Sequence, residues 1–350
     1  MQNRWTIEQA REWHAALPWL VGCNYTPRNA VNQLEMWQDT TFDADILDEE
    51  LGWAAGLGFN LMRVYLHDIP WLEDRDGFCG RVSRFLDIAG RHGLRVAFVL
   101  FDSCWLPHPK SGAQPAPVPG VHNSGWLQCP GIGALADAAE FARREDFVTG
   151  FIARFRDDPR VLLWDLWNEP DNMNTASIGA RDLAGKPAIV APLLQRVFDW
   201  ARAADPAQPL TSGVWEGDWS SDAALKPCER AQLENSDVVS FHCYGPAGDM
   251  ARRIGHLQRY GRPLFCTEYM ARVSGSTFQE ILPILKAGRV AALNWGFVKG
   301  KIQTHLPWDS WQNPYIDRDP PEWLHDVLNP DGAPHIPAEA EFIREITRGE

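Results

Sequence analysis

Eight short runs of apolar and β-branched residues recur along the 350-residue chain, and they limit its fold more than any other feature. Segments with apolar residues at helical spacing, such as Leu193, Leu194 and Val197, lie between several of these runs. Strands that alternate with helices predict a parallel sheet. Most runs are apolar at consecutive positions, as expected for strands that are covered on both faces. The runs begin near Leu20, Asn60, Arg95, Leu162, Leu210, Val238, Leu264 and Leu293.

Eight strand-and-helix units favour an α/β fold of the (β/α)8 barrel type. We expect a single barrel domain over residues 1–350, because barrels of this length are commonly one domain. A helical extension over residues 1–18 precedes the first strand, with its helix between Thr6 and Leu17. We find no internal repeat and no second domain in the sequence.

Two long loops interrupt the regular spacing of the strands. The third and fourth strands begin 67 residues apart, and the extra length falls in residues 102–143, which are rich in Pro, Gly, His and Trp. This composition predicts an ordered flap over the site rather than a linker. A second irregular loop follows the eighth strand over residues 300–335. Both loops would emerge at the carboxyl end of the barrel, where active sites of such barrels lie.

Composition and charge exclude several kinds of partner. The chain has 33 Lys and Arg against 46 Asp and Glu, so a net charge of −13 repels nucleic acid and anionic membrane surfaces. No Gly-rich phosphate motif follows a strand, and a nucleotide cofactor is therefore not expected. Seven scattered cysteines suit a reducing compartment, and the first residues do not resemble a secretory signal. We expect a cytoplasmic protein.

Two glutamates lie where predicted strands end. Glu169 ends the fourth strand in the sequence WNEP, and Glu268 ends the seventh in the sequence TEY. In a barrel, both carboxylates would reach the mouth and could face each other across a bound sugar. Retaining glycoside hydrolysis uses such a pair, with one carboxyl as proton donor and the other as nucleophile about 5–5.5 Å away. Glu216, in the segment of the fifth strand, is the competing candidate for a catalytic carboxylate because it too would end a strand.

With these residues, the sequence resembles the clan A glycoside hydrolases and, within them, the cellulases and mannanases of family 5. The resemblance spans residues 20–298. It rests on the WNEP and TEY sequences together with Arg63 at the end of the second strand, the pair His242 and Tyr244 after the sixth, and Trp295 on the eighth.

The resemblance implies a role for each of these residues. Glu169 would be the acid/base and Glu268 the nucleophile. The implied supporting contacts are Asn168 to the sugar 2-hydroxyl, Arg63 and Tyr244 to the nucleophile, His242 along the wall of the site and Trp295 beneath the attacked sugar.

The chemistry of these side chains agrees with the resemblance, although each has a structural alternative. Arg63 beside Glu268 would keep that carboxylate ionised, but it could instead belong to a structural ion pair. His242 could be a core histidine, and Trp295 could simply fill the barrel. Asp102 ends the third strand and could bind a sugar hydroxyl or cap the loop. Glu169 needs apolar surroundings to keep its proton, and the nearby candidates are Trp164 and Trp167.

Other loop residues suggest sugar contacts or a metal. The aromatic faces of tryptophans suit sugar rings, and the candidate platforms in the loops are Trp105, Trp126, Trp308 and Trp311, which could also be loop anchors. The flap also carries residue types that bind zinc, but their spacing fits no zinc pattern, so we expect no metal. These are Cys104, His108, His122 and Cys129.

The sequence therefore predicts a retaining β-glycosidase that needs no cofactor and acts on oligosaccharides or small β-glycosides. Two alternatives remain open. The chain could bind carbohydrate on a hydrolase scaffold without cleaving it, or it could transfer sugars with the same residues. The two long loops predict a closed pocket and short substrates, whereas a flap folded back along the barrel would leave an open groove.

Overall fold

The computed structural model describes residues 3–348, so the first two and last two residues of the predicted 1–350 domain lie outside the described residues. The strands are β1 (Val21–Tyr25), β2 (Leu61–Tyr65), β3 (Arg95–Asp102), β4 (Val161–Asn168), β5 (Leu210–Thr211), β6 (Val239–His242), β7 (Leu264–Tyr269) and β8 (Ala291–Asn294). They form one parallel sheet in the order β5-β4-β3-β2-β1-β8-β7-β6. A parallel bridge between Val214 and Phe241 spans the remaining seam. The predicted (β/α)8 barrel is confirmed.

Helices surround this barrel. Their ends follow the capping chemistry of the sequence: for example, the Asp43 side chain accepts hydrogen bonds from the N–H groups of Asp45 and Ile46 at the start of the third helix. No helix within residues 3–348 is long and apolar enough to cross a membrane. The α-helices are α1 (Ile7–Ala15), α2 (Gln33–Trp37), α3 (Ala44–Gly56), α4 (Asp68–Glu73), α5 (Arg75–Arg91), α6 (Ile132–Ala136), α7 (Ala138–Ala142), α8 (Arg144–Phe155), α9 (Lys186–Ala203), α10 (Pro227–Asn235), α11 (Ala247–Leu257), α12 (Phe278–Ala287) and α13 (Pro337–Thr347).

The apolar core has three parts that together support the mouth of the barrel. The largest lies between the strands and the surrounding helices. A second cluster fills the amino end of the barrel, where Trp13 and Leu17 of the N-terminal segment pack against it. A third cluster lies towards the carboxyl end and includes Tyr65, Trp126 and Trp295. The side chains at the mouth therefore stand on a filled barrel, which limits their movement.

Three sequence predictions about strand position need correction. Arg63 is the third of the five residues of β2 rather than its last. β8 ends at Asn294, so Trp295 follows the strand; Gly296 has φ 78° and the Asn294 side chain donates to its carbonyl, which turns the chain. Regular pairing of β5 stops at Thr211, which leaves Glu216 in the loop beyond it.

The two predicted long loops are present, and they pack against each other over the mouth. The indole of Trp105 stacks on that of Trp311 with ring centres 5.3 Å apart. The His122 N–H donates to the Ser310 hydroxyl at 2.9 Å. Residues 102–143 also contain α6 and α7, which connect this flap to α8. Since each loop supports the other, the flap lies over the barrel mouth rather than along its wall.

The close contact between β1 and β2 gives a stability test. A Cβ atom on Gly22 would lie 1.6 Å from the Leu61 carbonyl oxygen, and neither strand can shift inside a closed sheet. We expect Gly22→Ala to lower the free energy of unfolding by about 3 kcal/mol in urea titrations. Gly80→Ala is the matched control, because Gly80 is exposed within α5 with no atom near its Cβ position. It should be neutral or stabilise by up to about 1 kcal/mol. Similar effects of both substitutions would contradict the expected overlap.

Candidate active site

A cavity of about 500 Å³ opens at the carboxyl ends of the strands. Side chains from strand ends form one part of its lining, and residues of the two long loops form another. The predicted residues that line it are Asp102, Asn168, Glu169, His242, Tyr244, Glu268, Trp295 and Trp308. Arg63 lies beneath this lining, fully buried. The structure therefore brings the predicted site residues together in one place.

Glu268 is surrounded by groups that favour its charged form. One carboxylate oxygen accepts hydrogen bonds from Arg63 Nη1 and the Tyr65 hydroxyl, each at 2.9 Å. The other accepts from the Tyr244 hydroxyl at 2.6 Å. Burial alone would raise the pKa of Glu268, but the charge of His242 when its ring is protonated, the charge of Arg63 and the tyrosine hydrogen bonds outweigh it and lower the pKa. Glu268 is therefore an ionised carboxylate directed into the cavity.

Arg63 holds several polar side chains in fixed positions. Its Nε and Nη2 both donate to Asp165 Oδ2, at 2.9 and 2.7 Å. Nη2 also donates to the Asn168 side-chain oxygen at 2.8 Å, and Nη1 donates to Asn24 at 2.7 Å. The sequence analysis did not identify Asp165 or Tyr65. The position of Tyr65, two residues after Arg63 on the same strand, could have indicated that both side chains face inward.

Glu169 has different neighbours. It follows β4 directly and has a φ of 43°, a left-handed conformation that is uncommon for a residue other than glycine. Its Oε1 lies 2.8 Å from His242 Nδ1. Its Oε2 accepts from the Asn172 side-chain amide at 2.6 Å and lies 3.3 Å from Cys104 Sγ. No cation other than the ring of His242 is paired with this carboxyl among residues 3–348.

The two carboxylates lie close to each other. One oxygen of Glu169, one oxygen of Glu268 and one ring nitrogen of His242 all lie within 4.8 Å of one another. The same Nδ1 of His242 is 3.5 Å from Glu268 Oε2, so the imidazole stands between the two groups. The two carboxyl groups are therefore close enough to contact the same bound group.

Asp102 belongs to the support of Asn168. Its Oδ1 accepts from the Asn168 amide and from the Cys104 N–H, both at 3.0 Å. Its Oδ2 accepts from the Trp126 indole at 2.5 Å. Burial raises the pKa of Asp102 to about 6. Oδ2 retains one acceptor position towards the cavity, so the predicted hydroxyl contact is compatible with this geometry.

Of the five tryptophans predicted to contact a sugar, three line the cavity and two do not. Trp105, Trp308 and Trp295 line the cavity, whereas Trp126 and Trp311 lie behind it as supports. Trp215 also lines the cavity, and the sequence analysis missed it because only the two long loops were searched for platforms.

The prediction that Trp164 and Trp167 surround Glu169 is wrong, and the prediction of Glu216 as a competing catalytic carboxylate is weakened. Trp164 and Trp167 do not surround Glu169, because their indoles pack among the rings of Phe98 and Phe101 on the helix side of the sheet. The side chains that contact Glu169 are instead Cys104, Asn172 and His242.

Glu216 lines the cavity, but its side chain is exposed and makes no ion pair among the described residues, unlike the buried Glu169 and Glu268.

The zinc-type residues of the flap do not meet at one point. Cys129 lies against Asp68 of α4, whereas Cys104 lies against Glu169. His67, Asp68 and Cys129 could together offer three ligand atoms within 4.8 Å. However, Arg144 already occupies the second Asp68 oxygen at 2.8 Å, so an ion pair accounts for this group.

A barrel with two buried, adjacent carboxylates at its mouth has the arrangement of a glycoside hydrolase. The family model for cellulase, glycosyl hydrolase family 5, matches residues 120–313, which is more than half of the chain. The chain belongs to glycosyl hydrolase family 5. No curated protein sequence matches it.

Several solved structures with the same fold have names that mention a mannose-containing ligand, a mannosidase or a mannanase. A GH5_18 protein from Streptomyces cattleya in complex with Manβ1-4GlcNAc has a TM-score of 0.64 at 17% identity over 94% of this chain and 80% of that one. The exo-β-1,4-mannosidase Op5Man5 from Opitutaceae bacterium strain TAV5 has a TM-score of 0.62 at 20% identity, over 94% and 60%. A β-1,4-mannanase from the sea hare Aplysia kurodai has a TM-score of 0.56 at 16% identity, over 87% and 95%.

The buried pair of Arg63 and Asp165 gives a second stability test. Asp165→Asn keeps the shape of the side chain but removes the charge that opposes the guanidinium, and we expect the free energy of unfolding to fall by about 3 kcal/mol. Asp157→Asn is the control, because Asp157 pairs with Arg156 at 3.3 Å with 79% of its side chain exposed. That change should stay within about 0.5 kcal/mol. Urea unfolding of both variants measures the difference, and an equally small loss for Asp165→Asn would disprove its anchoring role.

Proposed function

We propose that this family 5 protein is a retaining β-glycosidase in which Glu268 is the nucleophile and Glu169 is the acid/base. The observation that carries the proposal is the pair of carboxyl groups with oxygens within 4.8 Å, of which Arg63 and two tyrosines keep Glu268 ionised. Retaining enzymes place these groups about 5–5.5 Å apart, whereas inverting enzymes need about 6.5–9.5 Å to admit a water.

The reaction follows in two steps. Glu268 attacks the anomeric carbon as the bond to the leaving oxygen breaks, and Glu169 transfers its proton to that oxygen. A covalent glycosyl ester on Glu268 remains. Glu169, now ionised, takes a proton from a water that attacks the same carbon, and Glu268 departs as a carboxylate. Two inversions at one carbon retain the configuration of the sugar.

Asn168 and Trp295 fit the remaining parts of this mechanism. The Asn168 side-chain oxygen accepts from Arg63, and its amide donates one hydrogen to Asp102 at 3.0 Å. The same amide nitrogen lies 3.5 Å from Cys104 Sγ, and its second hydrogen can donate to the 2-hydroxyl of a bound sugar in place of this weak contact. Trp295 is 8% exposed and packs edge-on against Tyr65, which fixes its ring in the wall of the cavity. A sugar ring can lie against this indole.

We further propose that the substrates are short β-linked saccharides or small β-glycosides. Trp105 and Trp308 bring the two long loops to the same cavity, and each loop holds the other in place. Such a closed rim favours the end of a chain over its middle. The names of proteins with similar folds include mannosidases and mannanases, which makes β-mannosides the first candidates in a substrate panel.

Substitution of each glutamate tests the proposed roles. We expect Glu268→Ala to lose turnover by at least about 10⁴-fold, and added azide to restore part of it with a product of inverted configuration. Glu169→Ala should lose about 10²–10⁴-fold on phenyl glycosides but little in the first step on dinitrophenyl glycosides, whose leaving group needs no proton. Single-turnover kinetics with product analysis by NMR measure both effects.

Glu216→Ala is the matched control for these substitutions, because it removes a carboxylate from the rim of the same cavity. Near-normal activity of Glu268→Ala on an activated substrate would refute the nucleophile assignment. Equal losses of Glu169→Ala on both kinds of leaving group would refute the acid/base assignment. Saccharide binding by a wild-type chain that cleaves none of the panel would instead identify a binding protein.

The closed rim predicts the mode of cleavage. With a soluble β-mannan or β-glucan, we expect slow release of terminal sugars and little change in viscosity, because the two loops block the passage of an internal segment. Short β-1,4-linked oligosaccharides should be cleaved faster per bond. A rapid fall in viscosity with products of intermediate length would mean internal cleavage and an open groove.

A further inference from the structure

Asn172 makes a short and directional contact with Glu169. Its side-chain nitrogen lies 2.6 Å from Glu169 Oε2. The amide oxygen of Asn172 accepts the N–H of Asn174 at 2.7 Å. A backbone N–H can only donate, so this second bond fixes which end of the amide is oxygen and which is nitrogen. Asn172 therefore presents N–H hydrogens, and no acceptor, to Oε2.

The second neighbour of Oε2 is also a donor. Cys104 Sγ lies 3.3 Å from Oε2, and burial raises the pKa of this thiol, which therefore carries its hydrogen. A proton bound to Oε2 would lie close to the amide hydrogen of Asn172 and the thiol hydrogen of Cys104, which is unfavourable. Oε1 has a different neighbour, His242 Nδ1 at 2.8 Å, which accepts a hydrogen bond when the ring is neutral and its hydrogen is on Nε2, an atom with no partner among residues 3–348.

We propose that Asn172 is a positioning residue that keeps Glu169 Oε2 unprotonated and places the transferable proton on Oε1, in the contact with His242. This inference rests on the proposed acid/base role of Glu169. Oε1 is then the atom that the leaving oxygen of the substrate must approach. A carboxyl group can carry its proton on either oxygen. Keeping the proton on Oε1 removes the unproductive form of the enzyme in which Oε2 carries it.

The surroundings hold Asn172 firmly enough for this role. The fully buried Lys186 donates to the Asn172 carbonyl at 2.8 Å and pairs with Asp182 at 2.6 Å. Asp182 in turn accepts from the Asn174 side chain at 2.7 Å. An ion pair without exposure to solvent is costly to bury. The pair lies directly behind the residues that contact the Glu169 carboxyl group. Its hydrogen bonds hold residues 172–174 in place.

The test replaces the donor by an acceptor of the same shape. In Asn172→Asp, two carboxylate oxygens about 2.6 Å apart would share one proton, which moves the acid proton from Oε1 to Oε2. We expect kcat/KM on phenyl β-glycosides of the preferred sugar to fall at least tenfold. With dinitrophenyl glycosides of the same sugar, the fall should be less than threefold. Asn172→Ala should show the same selectivity to a smaller degree.

Thr175→Asp is the matched control, since it introduces the same charge into the lining of the cavity at an exposed side chain. We expect it to change both substrates by the same factor. Equal losses on both substrates for Asn172→Asp, or no loss, would overturn the proposal. If Asn172→Asp fails to fold, the selectivity of Asn172→Ala decides in its place. If Glu169→Ala itself shows no leaving-group selectivity, the proposed function fails instead.

Discussion

The buried guanidinium of Arg63 is the interaction on which the rest of the site depends. A positive charge without exposure to water is costly, and Asp165 and Glu268 offset that cost from opposite sides of the barrel interior. The same group also fixes Asn168. Removal of any one partner therefore leaves a charge or a donor unsatisfied, and the positions of Glu268 and Asn168 and the stability of the barrel are linked through one side chain.

The two glutamates differ because of what the strands place beside them. Glu268 faces a strand that supplies a cation and a tyrosine, so it is held as an anion. Glu169 faces a thiol, an amide and an imidazole, and none of these except the imidazole can carry a charge that fixes its state. The two carboxyl groups therefore differ in their surroundings although they lie side by side.

The sequence predicted the barrel, the two glutamates and most of their neighbours, because strand periodicity and strand ends are local signals. It placed Trp295 on β8, although β8 ends one residue earlier, and it placed Trp164 near Glu169, although the Trp164 indole packs against Phe98. The end of a strand and the face that a residue takes depend on pairing with other strands, which the local sequence does not show. Asp165 and Asn172 were missed because their roles come from contacts with distant strands and loops. The single-domain and cytoplasmic expectations remain predictions from the sequence.

The chemistry and the choice of substrate are determined by different parts of the chain. Strand pairing holds the groups around the anomeric carbon, and the hydrogen-bonded sheet leaves them little freedom. The rim is made of loops that contact each other through Trp105 and Trp311 rather than through the sheet. A loop can change in length or sequence without moving Arg63 or Glu268, which explains how one barrel can serve enzymes with different substrates. Asn172 lies where these two parts meet, with its backbone in a loop and its side-chain amide on Glu169, so a change in the loop can reach this carboxyl group without disturbing the sheet.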